Sequence, residues 1–128
     1  MQVRTKMQHV LMKSDTKPVS SGRQKSAFPP NFVHSLDSTH MLLTAQRCLE
    51  EEKIAFAAVH DSYWTHACSV DIMSRRLREE FVHLYEQPLL EELLDELRMR
   101  FPQTEFEDLP DLGDLDLRSV LDSPYFFN

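Results

Sequence analysis

The sequence predicts a helix-rich α+β fold with one small antiparallel element, and three patterns lead to this prediction. Apolar residues recur at helical spacing in two long segments after residue 70. A short apolar run over residues 54–59 fills both alternating positions of an extended chain, which is typical of a strand buried on both faces. His60 and Asp61 then end this run, and aromatic residues follow them. The sequence therefore predicts a strand–turn–strand between helices.

The first thirty residues are predicted to be rich in β-structure. Apolar and polar residues alternate there in part, and turn-forming residues cluster at 15–18 and at 20–22. Two adjacent prolines, Pro29 and Pro30, are expected to end this lead-in, which we assign to residues 1–30.

A first helix is expected to follow the prolines. The side chain of Asp37 or Ser38 would cap its amino end, and the helix would extend to about residue 52. Four residues would share its buried face: Met41, Ala45, Cys48 and Leu49.

Two further helices are predicted after the strand–turn–strand, at about 71–86 and from Pro88 to about residue 100. Ion pairs of Asp95 with Arg98 and of Glu96 with Arg100 would support the later helix by a few tenths of a kcal/mol. The predicted buried stripes are Met73, Leu77, Phe81 and Leu84 on the earlier helix and Leu90, Leu93, Leu94, Leu97 and Phe101 on the later one.

The remaining chain is predicted to be an acidic, irregular connection followed by a short helix near 115–121 and an aromatic carboxyl terminus. These patterns divide the chain into the lead-in, a helix–hairpin–helix–helix segment at 31–101 and a terminal segment at 102–128.

Charge is distributed unevenly along the chain, whose net charge is −7. Residues 1–40 carry six Lys or Arg against two acids, whereas residues 86–122 carry three against twelve. A protein that binds nucleic acid needs basic character only where phosphates lie, so the first third is expected to face the phosphates. Cys48 and Cys68 form no metal-binding spacing and are consistent with a reducing compartment. No apolar run is long enough to predict a membrane span.

Asp61 is the candidate catalytic or metal-binding residue, because burying an ionised carboxylate at the end of a strand is costly unless it is paired or binds a metal. A rigid strand end is also what a metal ligand requires. Aspartate is equally common as a turn former, so this pattern alone leaves both interpretations open.

Two longer motifs bear on this choice. Residues 24–40 read Q-K-S-A-F-P-P-N-F-V-H-S-L-D-S-T-H, and residues 60–67 read H-D-S-Y-W-T-H-A. Over residues 24–128 the chain resembles the C-terminal part of single-subunit, phage-type RNA polymerases, and of their mitochondrial branch in particular. The resemblance implies the palm and fingers portion of a right-hand polymerase, in which a β-hairpin carries the catalytic aspartate. It also implies an aromatic carboxyl terminus close to the catalytic centre.

The resemblance implies the roles of Asp61 and His34, and the residue types suggest those of the other candidates. Asp61 matches one of two palm aspartates that hold two Mg²⁺ ions, while its partner and the nucleotide-binding helix are absent from this chain. His34 matches a position that touches the minor groove of the RNA–DNA hybrid, although a hydrogen-bonded structural histidine is the alternative. His60 is expected to contact the primer strand, and Arg23 and Lys25 to neutralise phosphates or only to form a solvated basic face.

The implied partners are a DNA template, the RNA product, ribonucleoside triphosphates, the rest of the polymerase chain and mitochondrial transcription factors. The implied location is the mitochondrial matrix, and no membrane contact is expected. Two alternatives remain: a truncated, inactive fragment or interaction module of such a polymerase, and a family A DNA polymerase. The DNA polymerase motif is His-Asp-Glu, whereas Ser62 follows Asp61 here. The isolated chain is expected to be inactive, and whether Met1 is a true start stays open.

Three other patterns are set aside. His34 and His40 lie six residues apart, share no helical face and do not suit a zinc pair. The spacing around Leu112 and Gly113 does not fit a calcium loop built on the neighbouring aspartates. Trp64 is expected to belong to the core and not to stack on a base.

Overall fold

The computed structural model describes residues 2–4, 9–11 and 18–126 and divides into two compact units, Met1–His34 and Ser35–Asn128. In the first unit, strand β1 (Gln2–Arg4) pairs antiparallel with strand β2 (His9–Leu11). β-Structure is therefore present in the lead-in, as the alternation predicts. Most of the turn expected at 15–18 falls outside the described residues.

Helix α1 (Ser21–Gln46) begins far earlier than the sequence predicts and contains Pro29 and Pro30. The predicted turn at 20–22 and the predicted helix start at Asp37 or Ser38 are both wrong. Proline has a φ compatible with a helix, and its cost lies in the missing N–H donor and in steric conflict with the preceding turn. Both prolines are exposed, so water can hydrate the carbonyls that lose their helical partners.

A five-residue π-helical turn (Arg47–Glu51) continues α1, so helical structure ends close to the predicted position. The Glu52 N–H donates to the Arg47 carbonyl at 3.1 Å, and the Ile54 N–H donates to the Cys48 carbonyl at 3.0 Å. Lys53 has a φ of 54°, in the left-handed region, and redirects the chain from the helix into the following strand.

The later elements agree with the predicted order. Strands β3 (Ala57–Val59) and β4 (Ser62–Trp64) form an antiparallel hairpin, and a 3₁₀ turn (Ala67–Ser69) leads into helix α2 (Val70–Tyr85). Pro88 immediately precedes helix α3 (Leu89–Arg100). The predicted bounds of both helices are confirmed to within one or two residues. Helix α4 (Ser119–Asp122) is shorter than the predicted final helix.

The core of the second unit lies between the end of α1, the hairpin and α2. Cys48, Met73 and Leu77 are buried at its centre, and the partly buried side chains around them are Ile54, Phe56, Tyr63 and Phe126. The predicted stripe of α2 is confirmed, since Met73, Leu77 and Leu84 are buried and Phe81 is half-buried.

Two predicted apolar faces are not buried as expected. Of the face predicted for the first helix, Cys48 is buried in the π-helical turn, Met41 and Ala45 are half-buried, and Leu49 is 51% exposed. His40 and Thr44 on α1 complete the buried stripe. Helix α3, which the structure describes in full, has no buried residue, and Phe101 next to it is 54% exposed. Leu93, Leu94 and Leu97 of the predicted α3 stripe are half-buried and Leu90 is exposed. The predicted stripe is therefore only partly buried, because none of the described elements covers that helix well enough to exclude water.

The carboxyl-terminal segment returns to α2. The Arg78 guanidinium donates to the Val120 carbonyl at 3.1 Å and to the Ser123 carbonyl, and it lies 5.5 Å from the centre of the Phe126 ring. Within the described ranges, no helix has the length and apolar character needed to cross a membrane.

Candidate active site

Asp61 lies in the two-residue turn of the β3–β4 hairpin, directly after His60. Val59 pairs with Ser62 on either side of this turn, and both turn residues are exposed. His60 has a φ of 55°, in the left-handed region, whereas the φ of Asp61 is negative. A positive φ at the first position of a two-residue turn favours glycine. A non-glycine residue there costs about 1–3 kcal/mol and persists only where the surrounding structure holds it.

The hairpin has one packed face and one open face. Ala58 and its partner Tyr63 are half-buried, and the Tyr63 ring lies 5.8 Å from the Phe56 ring. On the opposite face Val59 is 51% exposed and Trp64 is 56% exposed. The expectation of a strand buried on both faces is therefore wrong for this chain, as is the expectation that Trp64 belongs to the core. Only one layer of the described residues packs on the hairpin.

His40 contacts both the packed face of the hairpin and α2. The sequence analysis did not predict it as a site residue. Its side chain is 4% exposed, and its Nε2 atom lies 2.8 Å from the Leu77 carbonyl oxygen. Its ring meets the ring of Tyr63 edge-on at 6.4 Å and the ring of Phe81 at 5.7 Å. The available signal was the four-residue spacing of His40, Thr44 and Cys48, which places two polar residues in line with a buried cysteine.

The hairpin is also fixed at its base and lies in a negative electrostatic environment. The Thr65 hydroxyl donates to the Ala55 carbonyl across the two strands at 2.6 Å. Burial raises the pKa of Tyr63, and the charges of Asp37 and Asp61 raise it further. Tyr63 therefore stays neutral at physiological pH beside Asp61. Burial and the charge of Asp37 likewise raise the pKa of Tyr85.

A group of ion pairs fastens the π-helical turn to α2 just before the hairpin. We call it the π-turn network, and its members are Arg47, Glu51, Glu52, Arg76, Glu79 and Glu80. Arg47 Nε lies 2.8 Å from Glu80 Oε1, and Arg76 Nη2 lies 2.6 Å from Glu52 Oε1. Hydrogen bonds to carboxylates raise the pKa of both guanidinium groups, with Glu51 the largest contributor for Arg47 and Glu79 for Arg76.

The other predicted site residues lie on α1 in the first unit. Arg23, Lys25 and His34 are all exposed. Arg23 and Lys25 are two positions apart, so they project about 200° from each other around the helix and do not form one basic face. His60 and Asp61 are neighbours in the hairpin turn, and the roles of all five predicted site residues stay predictions.

Asp61 offers a chemically suitable but incomplete magnesium site. Mg²⁺ prefers carboxylate oxygens and keeps several waters, so one or two aspartates suffice for each ion. Among the described residues, the Asp61 carboxylate makes no ion pair, and no group of three or more His, Cys, Asp or Glu side chains is arranged to hold a metal. The residues present therefore fit one contribution to a shared site.

Comparison with known proteins places the chain among polymerases. A family model described as DNA-dependent RNA polymerase matches residues 1–107. The mitochondrial DNA-directed RNA polymerase 1B of Nicotiana tabacum is 54% identical over 126 residues, which are 98% of this chain and 12% of that protein. DNA-directed RNA polymerase 1A of the same plant is 53% identical over 98% of this chain and 81% of its own length. DNA-directed RNA polymerase 2, chloroplastic/mitochondrial, of Arabidopsis thaliana is 53% identical, and this chain spans 12% of it.

Proposed function

This chain belongs to the DNA-dependent RNA polymerase family, and we propose that it is the C-terminal catalytic segment of a single-subunit RNA polymerase. The whole enzyme would add ribonucleotides to RNA on a DNA template. The observation that carries this proposal is the exposed Asp61 carboxylate in the turn of a hairpin whose inner face is packed. The family match also favours RNA synthesis over the DNA polymerase alternative.

Asp61 would contribute one carboxylate to a pair of Mg²⁺ ions, and a second aspartate would come from another part of the polymerase. Two such ions supply activation of the RNA 3′-hydroxyl and stabilisation of the leaving pyrophosphate. The contribution of this chain would be to hold the Asp61 carboxylate in a fixed position. Packing of Tyr63 against Phe56 and His40, together with the Thr65 bond to Ala55, restricts movement of the turn that bears the carboxylate.

Four residues are candidates for contact with nucleic acid: His60, His34, Arg23 and Lys25. His60 sits beside Asp61 in the turn, where an imidazole can donate to the primer strand. His34 would donate to the acceptors of the minor groove, which every base pair presents, and would thereby test duplex shape without reading sequence. Arg23 and Lys25 would neutralise phosphates from different sides of α1. The excess of basic residues in the first 40 positions supports a role in binding phosphates.

The open face of the hairpin is where the rest of the polymerase chain would pack. Ala57, Val59 and Trp64 are apolar and exposed on that face. The chain spans only 12% of several relatives, so the greater part of such a polymerase is available to cover it. This arrangement corresponds to the palm and fingers of a right-hand polymerase, with residues 31–101 as the central segment between the lead-in and the terminal segment.

The names of the relatives support a location in mitochondria or plastids, and the mitochondrial matrix is the location we propose. Mitochondrial transcription factors would be partners of the whole enzyme. The second candidate function is that of a non-catalytic module that folds against a complete polymerase. The presence of one candidate carboxylate and an uncovered apolar face favours this alternative for the isolated chain, which we expect to be inactive.

The test is Asp61→Asn in an intact polymerase that contains this segment. The substitution preserves shape and removes the charge, so nucleotide addition should fall by about 10²–10³-fold or more. Binding of the DNA template, measured by fluorescence anisotropy, should stay unchanged. Asp114→Asn is the matched control, because it makes the same chemical change at an exposed position in the acidic connection. Near-normal extension by the Asp61→Asn enzyme would refute the proposed function.

A further inference from the structure

We propose that His40 is a positioning residue for Asp61, acting through the ring of Tyr63. This inference rests on the proposed function, in which Asp61 is the catalytic carboxylate. His40 itself is buried on α1, and its contacts include Leu77, Tyr63 and Phe81. Its contribution would be to fix the direction in which the hairpin presents Asp61.

The first step is the anchoring of the imidazole to α2. A carbonyl oxygen only accepts hydrogen bonds, so the 2.8 Å contact to the Leu77 carbonyl requires a proton on Nε2 of His40. The side chain is 4% exposed and meets Phe81 edge-on. Because Leu77 is itself 3% exposed, the ring is fixed to the most buried part of α2.

The second step is the contact between His40 and the hairpin. Tyr63 meets the imidazole edge-on, with the two ring planes at 81°. Edge-to-face pairs of this kind contribute about 0.5–1.5 kcal/mol beyond their buried area. Tyr63 therefore lies between a fixed imidazole and Phe56 on the entering side of the hairpin.

The third step is the short path from Tyr63 to Asp61. The two residues are two positions apart, so at most about 7 Å of chain separates them. A tilt of β4 at Tyr63 is consequently transmitted to the turn with little loss. A displacement of about 1 Å is enough to lower a catalytic rate by about 100-fold. The strained φ of His60 adds to this sensitivity, because the turn keeps its shape only while its supports hold.

The experiment compares His40→Leu, His40→Gln and Thr44→Val in an intact polymerase that contains this segment. Thr44→Val is the matched control: Thr44 is fully buried one helical turn away, and its hydroxyl donates only within α1, to the His40 carbonyl at 2.9 Å. Three quantities are measured: kcat and KM for nucleotides, the Mg²⁺ concentration for half-maximal rate, and hydrogen exchange of residues 57–64 without Mg²⁺.

His40→Leu should lower kcat by about 10–100-fold, raise the Mg²⁺ requirement and speed hydrogen exchange in the hairpin, with KM nearly unchanged. His40→Gln should recover part of the loss, because its amide N–H can replace the donor to the Leu77 carbonyl. Thr44→Val should change none of the three, even where it lowers thermal stability. If His40→Leu acted only through a general loss of packing, Thr44→Val would change the same three quantities to a similar extent.

Two results would overturn the inference: wild-type kcat and Mg²⁺ dependence in His40→Leu, or equal losses in His40→Leu and Thr44→Val. If His40→Leu does not fold, His40→Gln decides alone, because glutamine keeps a donor for the Leu77 carbonyl but lacks the ring that meets Tyr63. Hairpin exchange and Mg²⁺ dependence equal to those of the wild type in His40→Gln then refute the role of the imidazole ring. Activity that survives Asp61→Asn refutes the proposed function instead, so the two failures are distinguishable.

Discussion

Arg47→Met removes the guanidinium group that pairs with the nearly buried Glu80 carboxylate, and it retains an apolar stem of similar length. The Glu80 side chain is 5% exposed, and its carboxylate lies 2.8 Å from Arg47 Nε. Loss of one partner from a fully buried ion pair costs about 3–5 kcal/mol, because an uncompensated charge stays buried. The Arg47 side chain is 41% exposed, so water can partly replace it. We therefore expect a local destabilisation of about 2 kcal/mol.

Hydrogen exchange in an intact polymerase containing this segment is the appropriate assay. The reporters are the Glu52 and Ile54 amides, which donate to the Arg47 and Cys48 carbonyls and close the π-helical turn. A loss of about 2 kcal/mol in local opening free energy corresponds to about 30-fold faster exchange.

Arg75→Met is the control for this prediction. Arg75 is 60% exposed, and its contacts to Glu52 and Glu79 are 3.5 and 4.0 Å long. Exposed pairs of this kind contribute about 0–1 kcal/mol, so exchange should rise by no more than a few-fold. Equal protection of the two reporter amides in Arg47→Met and the wild type would refute the view that the Arg47–Glu80 pair holds the turn.

Three further predictions concern the second unit in the intact enzyme. In the native protein, an alkylating reagent should modify the exposed Cys68 and not Cys48, which is fully buried and whose pKa is raised by burial. Mass spectrometry checks this, and both thiols should react after denaturation. Because the pKa of Tyr63 is raised in the folded protein, the stability that this residue contributes is complete below about pH 10 and is lost as pH rises further. In Tyr63→Phe, Tm should therefore fall less steeply above about pH 10 than in the wild type. Deletion of residues 126–128 should slow extension, because the Phe126 ring packs 5.1 Å from the Phe81 ring; unchanged kinetics would show that the contact is dispensable.

The spacing of apolar residues predicted the elements whose bounds depend on residues close by in the sequence. The bounds of α2 and α3 follow from apolar spacing and from Pro88, and the hairpin follows from the abrupt end of an apolar run at His60. The start of α1 was not predictable in this way. Pro29 and Pro30 usually mark the end of a helix, and their tolerance here depends on solvation of carbonyls that no local pattern reveals.

The sequence points to the central residue of the candidate site but not to the residues that support it. Asp61 stands out because a charge follows an apolar run. His40 does not, because its burial depends on contacts with Leu77 and Tyr63 that lie far along the chain. The stripe of α3 and the open face of β3 were predicted as buried because apolar patterning records what a segment is suited to contact, whether or not the described residues supply that contact.

The π-helical turn bears on which changes in chain length this protein can accept. The bond from the Glu52 N–H to the Arg47 carbonyl spans five residues, one more than an α-helical bond. A deletion of one residue within 47–51 would let the turn close as ordinary α-helix and leave the two-residue alternation of β3 intact. The same deletion inside β3 would exchange its packed and open faces and move Ala58 outward. Length variation between related chains should therefore concentrate at this turn and avoid the strand that follows it.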